Sequence, residues 1–299
     1  MKGTGSPLSG RPHCIAMVYG VPYKGSKNAI AEWIVSLLPR GGRFVDLFAG
    51  GCSVSHAALL SGKYDCVLAN DIGGGPTLFL DAINGRFDIA PAWVSRDEFF
   101  IGKDDDPYIK YCWSFGNDGK SYMYGKHIEP YKRAVYEFIS NNSDTARYEA
   151  YHRAERLRKE LCASGTFTDR TALSEAFERV MRLRSIRTSL QHYRDRLDIS
   201  RMDYRDVKLL KDDVVYCDIP YRNTAEHYDK MNDVGVFDYD EFYRWASEQD
   251  ATVFVSEYDM PEDAFVVIGV HERCGHLSAT NNSNRKQEKV FIPRTPMKG

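Results

Sequence analysis

The apolar run Val214-Val215-Tyr216-Cys217 ends in Asp218-Ile219-Pro220-Tyr221, and this junction constrains the fold more than any other stretch of the chain. Four apolar residues followed by an acid and a proline read as a buried strand that stops at a sheet edge. Proline fixes its own φ and cannot donate to a strand ladder. Strands that are apolar on both faces belong to parallel sheets covered by helices. Open α/β sheets of that kind bind ligands beyond the carboxyl ends of their strands. The junction therefore places three tools at such an edge. The Asp218 carboxylate can accept hydrogen bonds from an exocyclic amine, Pro220 stiffens the turn, and Tyr221 offers a flat face for stacking. Together they suit chemistry on the amino group of a nucleobase withdrawn from its helix. Alone, the four residues also fit an ordinary strand-to-loop turn.

A second stretch strengthens the first reading. Arg43 to Asp46 reads as a strand, and it runs into the turn Leu47-Phe48-Ala49-Gly50-Gly51-Cys52. Ser53 is expected to cap a helix from Val54 to Leu60, which ends at Gly62. Glycines in such a turn let the backbone approach a ligand closely. The helix N-terminus beside them favours a negative group such as a carboxylate. About twenty residues later Cys66-Val67-Leu68-Ala69 reads as the next strand and ends at Asn70-Asp71. An acid at the tip of the second strand is where such folds bind ribose hydroxyls.

At these residues the chain resembles the Dam-like DNA adenine methyltransferases, which move a methyl group from S-adenosylmethionine to N6 of adenine. The family's glycine motif is similar to Asp46-Leu47-Phe48-Ala49-Gly50-Gly51. Its catalytic Asp-Pro-Pro-Tyr is similar to Asp218-Ile219-Pro220-Tyr221, and its aromatic-to-lysine motif to Tyr23-Lys24-Gly25-Ser26-Lys27. Its ribose-binding acid matches Asp71, and a further acid–aromatic pair matches Asp203-Tyr204. The order of motifs agrees from about Val18 to Pro293. The insert matches loosely, at Trp113-Ser114-Phe115-Gly116-Asn117 and from Ser121 to Gly125. The resemblance implies a cofactor site at Tyr23, Lys27, Asp46, Phe48, Gly50, Asp71, Asp203, Tyr204 and Asp218. It implies a catalytic site at Asp218, Ile219, Pro220 and Tyr221, with S-adenosylmethionine as cofactor, double-stranded DNA as partner, and no metal. Two positions depart from the pattern. Ile219 replaces the first motif proline but keeps the main-chain carbonyl that would hold the target amine. Cys52 stands where many relatives carry glycine, and a small side chain is expected to be tolerated there.

The implied fold is α/β, a Rossmann-like methyltransferase sheet with an inserted, mainly helical target-recognition domain. Residues 1–16 are expected to be a flexible tail, residues 17–89 and 198–299 the catalytic domain, and residues 90–197 the DNA-binding insert. Helices are expected from Asn28 to Leu38, near Pro76 to Ile83, and from Tyr239 to Glu248. Within the insert they are expected from Tyr131 to Ile139, Ala146 to Leu161 and Ser174 to Leu197. Further strands are expected at Asp198–Asp203, Thr252–Ser256, Ala264–Val270 and Glu288–Ile292. Polar loops are read from Arg222 to Gly235 and from Leu277 to Gln287. The resemblance implies that the second can contact DNA, and the alternative is a mobile loop.

The chain's net charge of -2 does not mark a nucleic-acid binder, so any basic surface must be local. Residues 147–211 carry sixteen Lys/Arg against ten Asp/Glu. One cluster holds Arg153, Arg156, Arg158 and Lys159. The other holds Arg179, Arg182, Arg184 and Arg187. With the methyltransferase motifs present, both read as a phosphate-tracking surface. The alternative is a solvated face with pairs such as Glu155–Lys159. Seven scattered cysteines without a C-x-x-C pair, and no run long enough to span a membrane, imply a cytoplasmic protein with reduced thiols. A monomer is favoured, and a restriction partner is not inferable. His271-Glu272-Arg273-Cys274-Gly275-His276 has irregular spacing for a metal site. Three rival functions are weighed: methylation of cytosine N4, methylation of RNA or of a protein amide, and a non-catalytic DNA-binding protein on a methyltransferase scaffold.

Overall fold

The computed structural model describes residues 17–165, 174–221, 237–272 and 287–294. The N-terminal tail, the loop 222–235, residues 273–276 of the histidine-rich stretch and nearly all of the polar segment before Gln287 lie outside the described residues.

Seven strands form one sheet: β1 Gly41–Asp46, β2 Tyr64–Asn70, β3 Leu197–Ser200, β4 Val214–Cys217, β5 Thr252–Glu257, β6 Phe265–Glu272 and β7 Gln287–Pro293. Their order is β3-β2-β1-β4-β5-β7-β6. The first five are mutually parallel, and β7 runs antiparallel between β5 and β6. The order reverses between β1 and β4, which is the switch point at which open α/β sheets leave a crevice. Register aligns Asp46 with Tyr216 across that point. The glycine turn and Asp218 therefore leave neighbouring strands side by side.

The described helices are α1 Ala31–Leu37, α2 Ser53–Leu60, α3 Gly75–Ile83, α4 Arg96–Gly102, α5 Pro107–Cys112, α6 Glu129–Ser140, α7 Asp144–Ala163, α8 Glu175–Leu190 and α9 Tyr239–Glu248. The sheet is buried on both faces. Phe44, Val67, Val214, Tyr216 and Phe254 point to the face that also buries Ile34, Ala58 and Phe79 from α1, α2 and α3. The alternate residues Val45, Val215, Cys217, Val253 and Val255 point to the face covered by Phe242 and Ala246 of α9. This period-two split on apolar strands explains why their sequences read as continuous hydrophobic runs.

The described residues of 90–197 are mainly helical, and their buried residues share the first of these two cores. Trp93, Trp113, Tyr136, Val180, Leu183 and Ile186 pack in one cluster with Phe79 and Ile83. The hairpin of α6 and α7 adds a small core of its own around Tyr131, Ala134, Val135 and Ala154.

Four local expectations are corrected. Helix α8 ends at Leu190, followed by a 3-10 turn Gln191–Arg196, because Leu197 is drawn into β3 opposite Val67. Strand β3 stops at Ser200, and the Asp203 side chain instead accepts from the Arg205 N–H to start the turn Tyr204–Asp206. Ser53 does not cap α2, since it is the first helical residue and its hydroxyl donates to the Tyr19 carbonyl. Helix α1 starts only at Ala31, because Asn28 spends its side-chain oxygen on the Tyr19 N–H.

Candidate active site

A cavity of about 610 Å³ opens at the carboxyl ends of β1, β2 and β4. Small-molecule sites occupy roughly 300–1,000 Å³. Tyr23, Lys27, Asp46, Phe48, Gly50, Asp71, Asp203, Tyr204, Asp218, Ile219, Pro220 and Tyr221 all line this one cavity. Residues up to 198 positions apart in sequence, from Tyr23 to Tyr221, thus meet in it.

The glycine turn closes one end. Gly50 has φ +49°, and its N–H donates to Asp71 Oδ2 at 2.8 Å. The Gly73 N–H donates to the other Asp71 oxygen at 2.7 Å. Asp71 therefore ties the loops after β1 and β2 together, and burial raises its pKa above the ordinary carboxylate value. Gly75 is sterically required, because a Cβ there would fall 1.8 Å from the Gly50 carbonyl oxygen. Cys52 is fully buried with φ 58° and ψ 32°, the left-handed region that glycine occupies without penalty. A small side chain fits at Cys52, but the backbone there is one that glycine suits better.

The apolar wall is aromatic. Phe48 and Tyr204 lie 5.3 Å apart between ring centroids, and Phe237 and Phe242 close around both. Asp203, beside Tyr204, is held below its ordinary pKa, chiefly by its hydrogen bond to the Arg205 side chain. Arg205 also reaches Glu241 of α9 at 3.0 Å.

The third region is built on buried charge. Lys27 is 6% exposed, and its Nζ lies 2.7 Å from Asp218 Oδ1 and 3.4 Å from Glu288 Oε1. The ammonium also sits 4.5 Å above the Tyr221 ring centroid. The Tyr221 hydroxyl donates to Glu288, and its ring meets Tyr258 edge-on. Tyr239 of α9 donates to the Pro220 carbonyl at 2.8 Å. Burial pushes Asp218 up to about 6, opposed mainly by the Lys27 charge. Asp46 is pushed up to about 7 by burial, although Ser55 donates to its Oδ2 from both backbone and hydroxyl. Asp46 Oδ1 is buried with no hydrogen-bond partner among the described residues. Asp46, Asp71 and Asp218 together give the cavity an anionic lining of raised-pKa carboxylates, the environment in which functional groups are commonly found.

Glu288 was legible only as the start of the last strand. The signal that marks it is an acid at an inward position, since Glu288 and Val290 alternate toward the core and both are 0% exposed. Lys27, grouped by sequence with the cofactor end, lies on the Asp218 carboxylate.

The arginine clusters divide. In α8, Arg179 donates to the Cys112 and Ser114 carbonyls, Arg182 to those of Tyr19 and Gly20, and Arg184 to that of Phe87. Arg187 pairs with Asp88. This cluster ties α8 to the segments around Tyr19, Phe87 and Cys112 rather than forming a free phosphate-tracking row, because its forked donors are engaged by backbone carbonyls and one acid. On α7, Arg153 pairs with Glu137 and Arg158 with Glu155 at i,i+3, so the expected Glu155–Lys159 bridge gives way to Glu155–Arg158. Arg156 and Lys159 are exposed. His271 packs edge-on against Trp33 at 5.0 Å.

The family model of the D12 class N6 adenine-specific DNA methyltransferases matches residues 23–88, which is 66 of the 299 residues. No curated protein gives a match. The matched segment runs from Tyr23 through the glycine turn and Asp71 to the end of α3, and so carries one whole side of the cavity. That match lies on the elements that build one side of the cavity, so this part of the chain is similar to the D12 class N6 adenine-specific DNA methyltransferases, a family of enzymes.

Proposed function

We propose that the protein methylates N6 of adenine in double-stranded DNA, using S-adenosylmethionine and a target base extruded from the duplex. One observation carries the reading: the Asp218 carboxylate opens into the same cavity as the Gly50 turn and Asp71. A methyl acceptor and a methyl donor can therefore meet there.

The donor's fit rests on the lining. S-adenosylmethionine carries a sulfonium and an ammonium, and the cavity presents Asp46, Asp71 and Asp218 with one unpartnered buried oxygen on Asp46. Phe48 and Tyr204 offer apolar faces for its adenine, while Asp71 and the turn around Gly50 suit its ribose and methionine ends. Bound there, it would supply an electrophilic methyl group. The chain's own residues handle the acceptor. Asp218 and the Ile219 carbonyl accept the two amine protons, which leaves the nitrogen lone pair directed away from them. Extrusion costs a few kcal/mol, least where pairing is already weakened, and stacking on Tyr221 returns about 1–3 kcal/mol. Positioning of this kind can supply roughly 7–11 kcal/mol of the barrier. The proton shed by the methylated nitrogen has Asp218, at about 6, as its nearest acceptor. Exposed basic residues on α7, among them Arg156 and Lys159, are placed to meet phosphates.

Transfer of labelled methyl from S-adenosylmethionine to unmethylated DNA, followed by nucleoside mass spectrometry, tests this reading. N6-methyladenine is the expected product. N4-methylcytosine would move the activity to the other exocyclic amine, and no methylated base would reduce the protein to a DNA-binding scaffold.

A further inference from the structure

We propose that Glu288 is a positioning residue for methyl transfer, resting on the adenine reading above: it receives the Lys27 ammonium and clamps the Tyr221 hydroxyl while Asp218 turns to the target amine.

The placement is specific. Glu288 sits at an inward position of β7, two strands from β4, and is 0% exposed. A carboxylate so deep in a core is retained only if paired. Its Oε1 takes both Lys27, at 3.4 Å, and the Tyr221 hydroxyl. Its Oε2 has no partner among the described residues.

The need for such a residue follows from Lys27. Its ammonium holds Asp218 Oδ1 at 2.7 Å and covers the Tyr221 ring at 4.5 Å. Those are the two features the proposed reaction asks to meet the base. A flipped adenine must therefore displace the ammonium from both. A buried cation without an acceptor is costly, so the displacement needs a second carboxylate within reach. Glu288 supplies one, with a spare oxygen already desolvated. The Tyr221 hydroxyl is anchored at the same carboxylate, so the ring keeps its orientation while the lysine moves. Glu288 touches neither the reacting nitrogen nor the methyl group, and its effect passes through Lys27 and Tyr221.

The test is single-turnover methyl transfer to unmethylated DNA at saturating S-adenosylmethionine, in wild type, Glu288→Gln, Tyr221→Phe and the double variant. Glu288→Gln is expected to slow transfer at least tenfold at pH 8, with cofactor Kd within twofold of wild type. Its acid limb should also move to lower pH, because a negative neighbour of Asp218 is gone. Tyr221→Phe keeps the ring and removes the anchor, so it should slow transfer as well, and it carries the test if Glu288→Gln does not fold. The double variant should lose less than the product of the two single losses, because the two residues share one hydrogen bond. A wild-type rate in either single variant overturns the proposal. So do losses that multiply in the double variant, or a loss matched by weaker cofactor binding with an unmoved acid limb. An inactive wild type would overturn the adenine reading and this inference with it. An active wild type with an unaffected Glu288→Gln would overturn the inference alone.

Discussion

Replacing Lys27 by glutamine should move the acid limb of methyl transfer upward. Asp218 must be ionised to accept the amine protons, and its pKa of about 6 reflects burial opposed chiefly by the Lys27 charge. At that value the carboxylate is about 90% ionised at pH 7 and about 10% at pH 5. Wild-type transfer should therefore fall roughly tenfold between these two pH values. An opposite charge in contact lowers a carboxyl by about 1–3 units. The Asp218 side chain is 21% exposed toward the cavity, so solvent tempers the effect and the lower part of that range applies. Without Lys27 the limb should sit at about 7–8, and Glu288, left without its ammonium, pushes in the same direction. At pH 7 the variant should be about 2–10 times slower than wild type through protonation alone. At pH 9 it should recover most of that loss. The assay is a single-turnover rate profile from pH 5 to 9.5 with saturating cofactor and DNA well below its Kd, so that the acid limb reports Asp218 in the free enzyme, before the base displaces Lys27. A limb that stays near pH 6, or a loss of equal size at every pH, would refute the assigned coupling between Lys27 and Asp218.

Four other outcomes are expected. Ile219→Val should cost about 1 kcal/mol of stability by urea unfolding and leave the transfer rate within twofold, because the side chain is 2% exposed and the chemistry needs only its carbonyl. Cys52→Gly should be more stable than Cys52→Ala by about 1 kcal/mol in the same assay, since both lose the thiol but only alanine keeps the left-handed strain. Removing Arg156 and Lys159 together should reduce the slope of log affinity against log salt for DNA by about 1.8, at roughly 0.9 per phosphate contact. Arg182→Ala should leave that slope unchanged and cost about 1–3 kcal/mol by stripping the guanidinium donor from the Gly20 carbonyl and from the Tyr19 carbonyl, which keeps only Ser53.

Much of the site was legible along the chain because local rules govern it. A strand ending in an acid and proline, a glycine turn before a helix and an acid at the next strand tip are short-range patterns. Each stayed within a residue or two of its expected place, as β4, the Gly50 turn and Asp71 show. The apolar alternation that marks both faces of the sheet is likewise written in the strands themselves. What escaped depends on partners distant in sequence. Nothing beside Glu288 in the chain says that Lys27 and Tyr221 converge on it, since β7 must first insert antiparallel next to β5. Nothing in the spacing of Arg179, Arg182, Arg184 and Arg187 distinguishes a DNA-facing row from a row of clamps. Only the docking of α8 against the segments around Tyr19, Phe87 and Cys112 decides that. Sequence by itself determined which chemical groups the strand ends carry, because those groups are set by residue type and local backbone rules. Tertiary structure alone decided which charges meet and which are spent, because pairing depends on distances that only long-range packing creates.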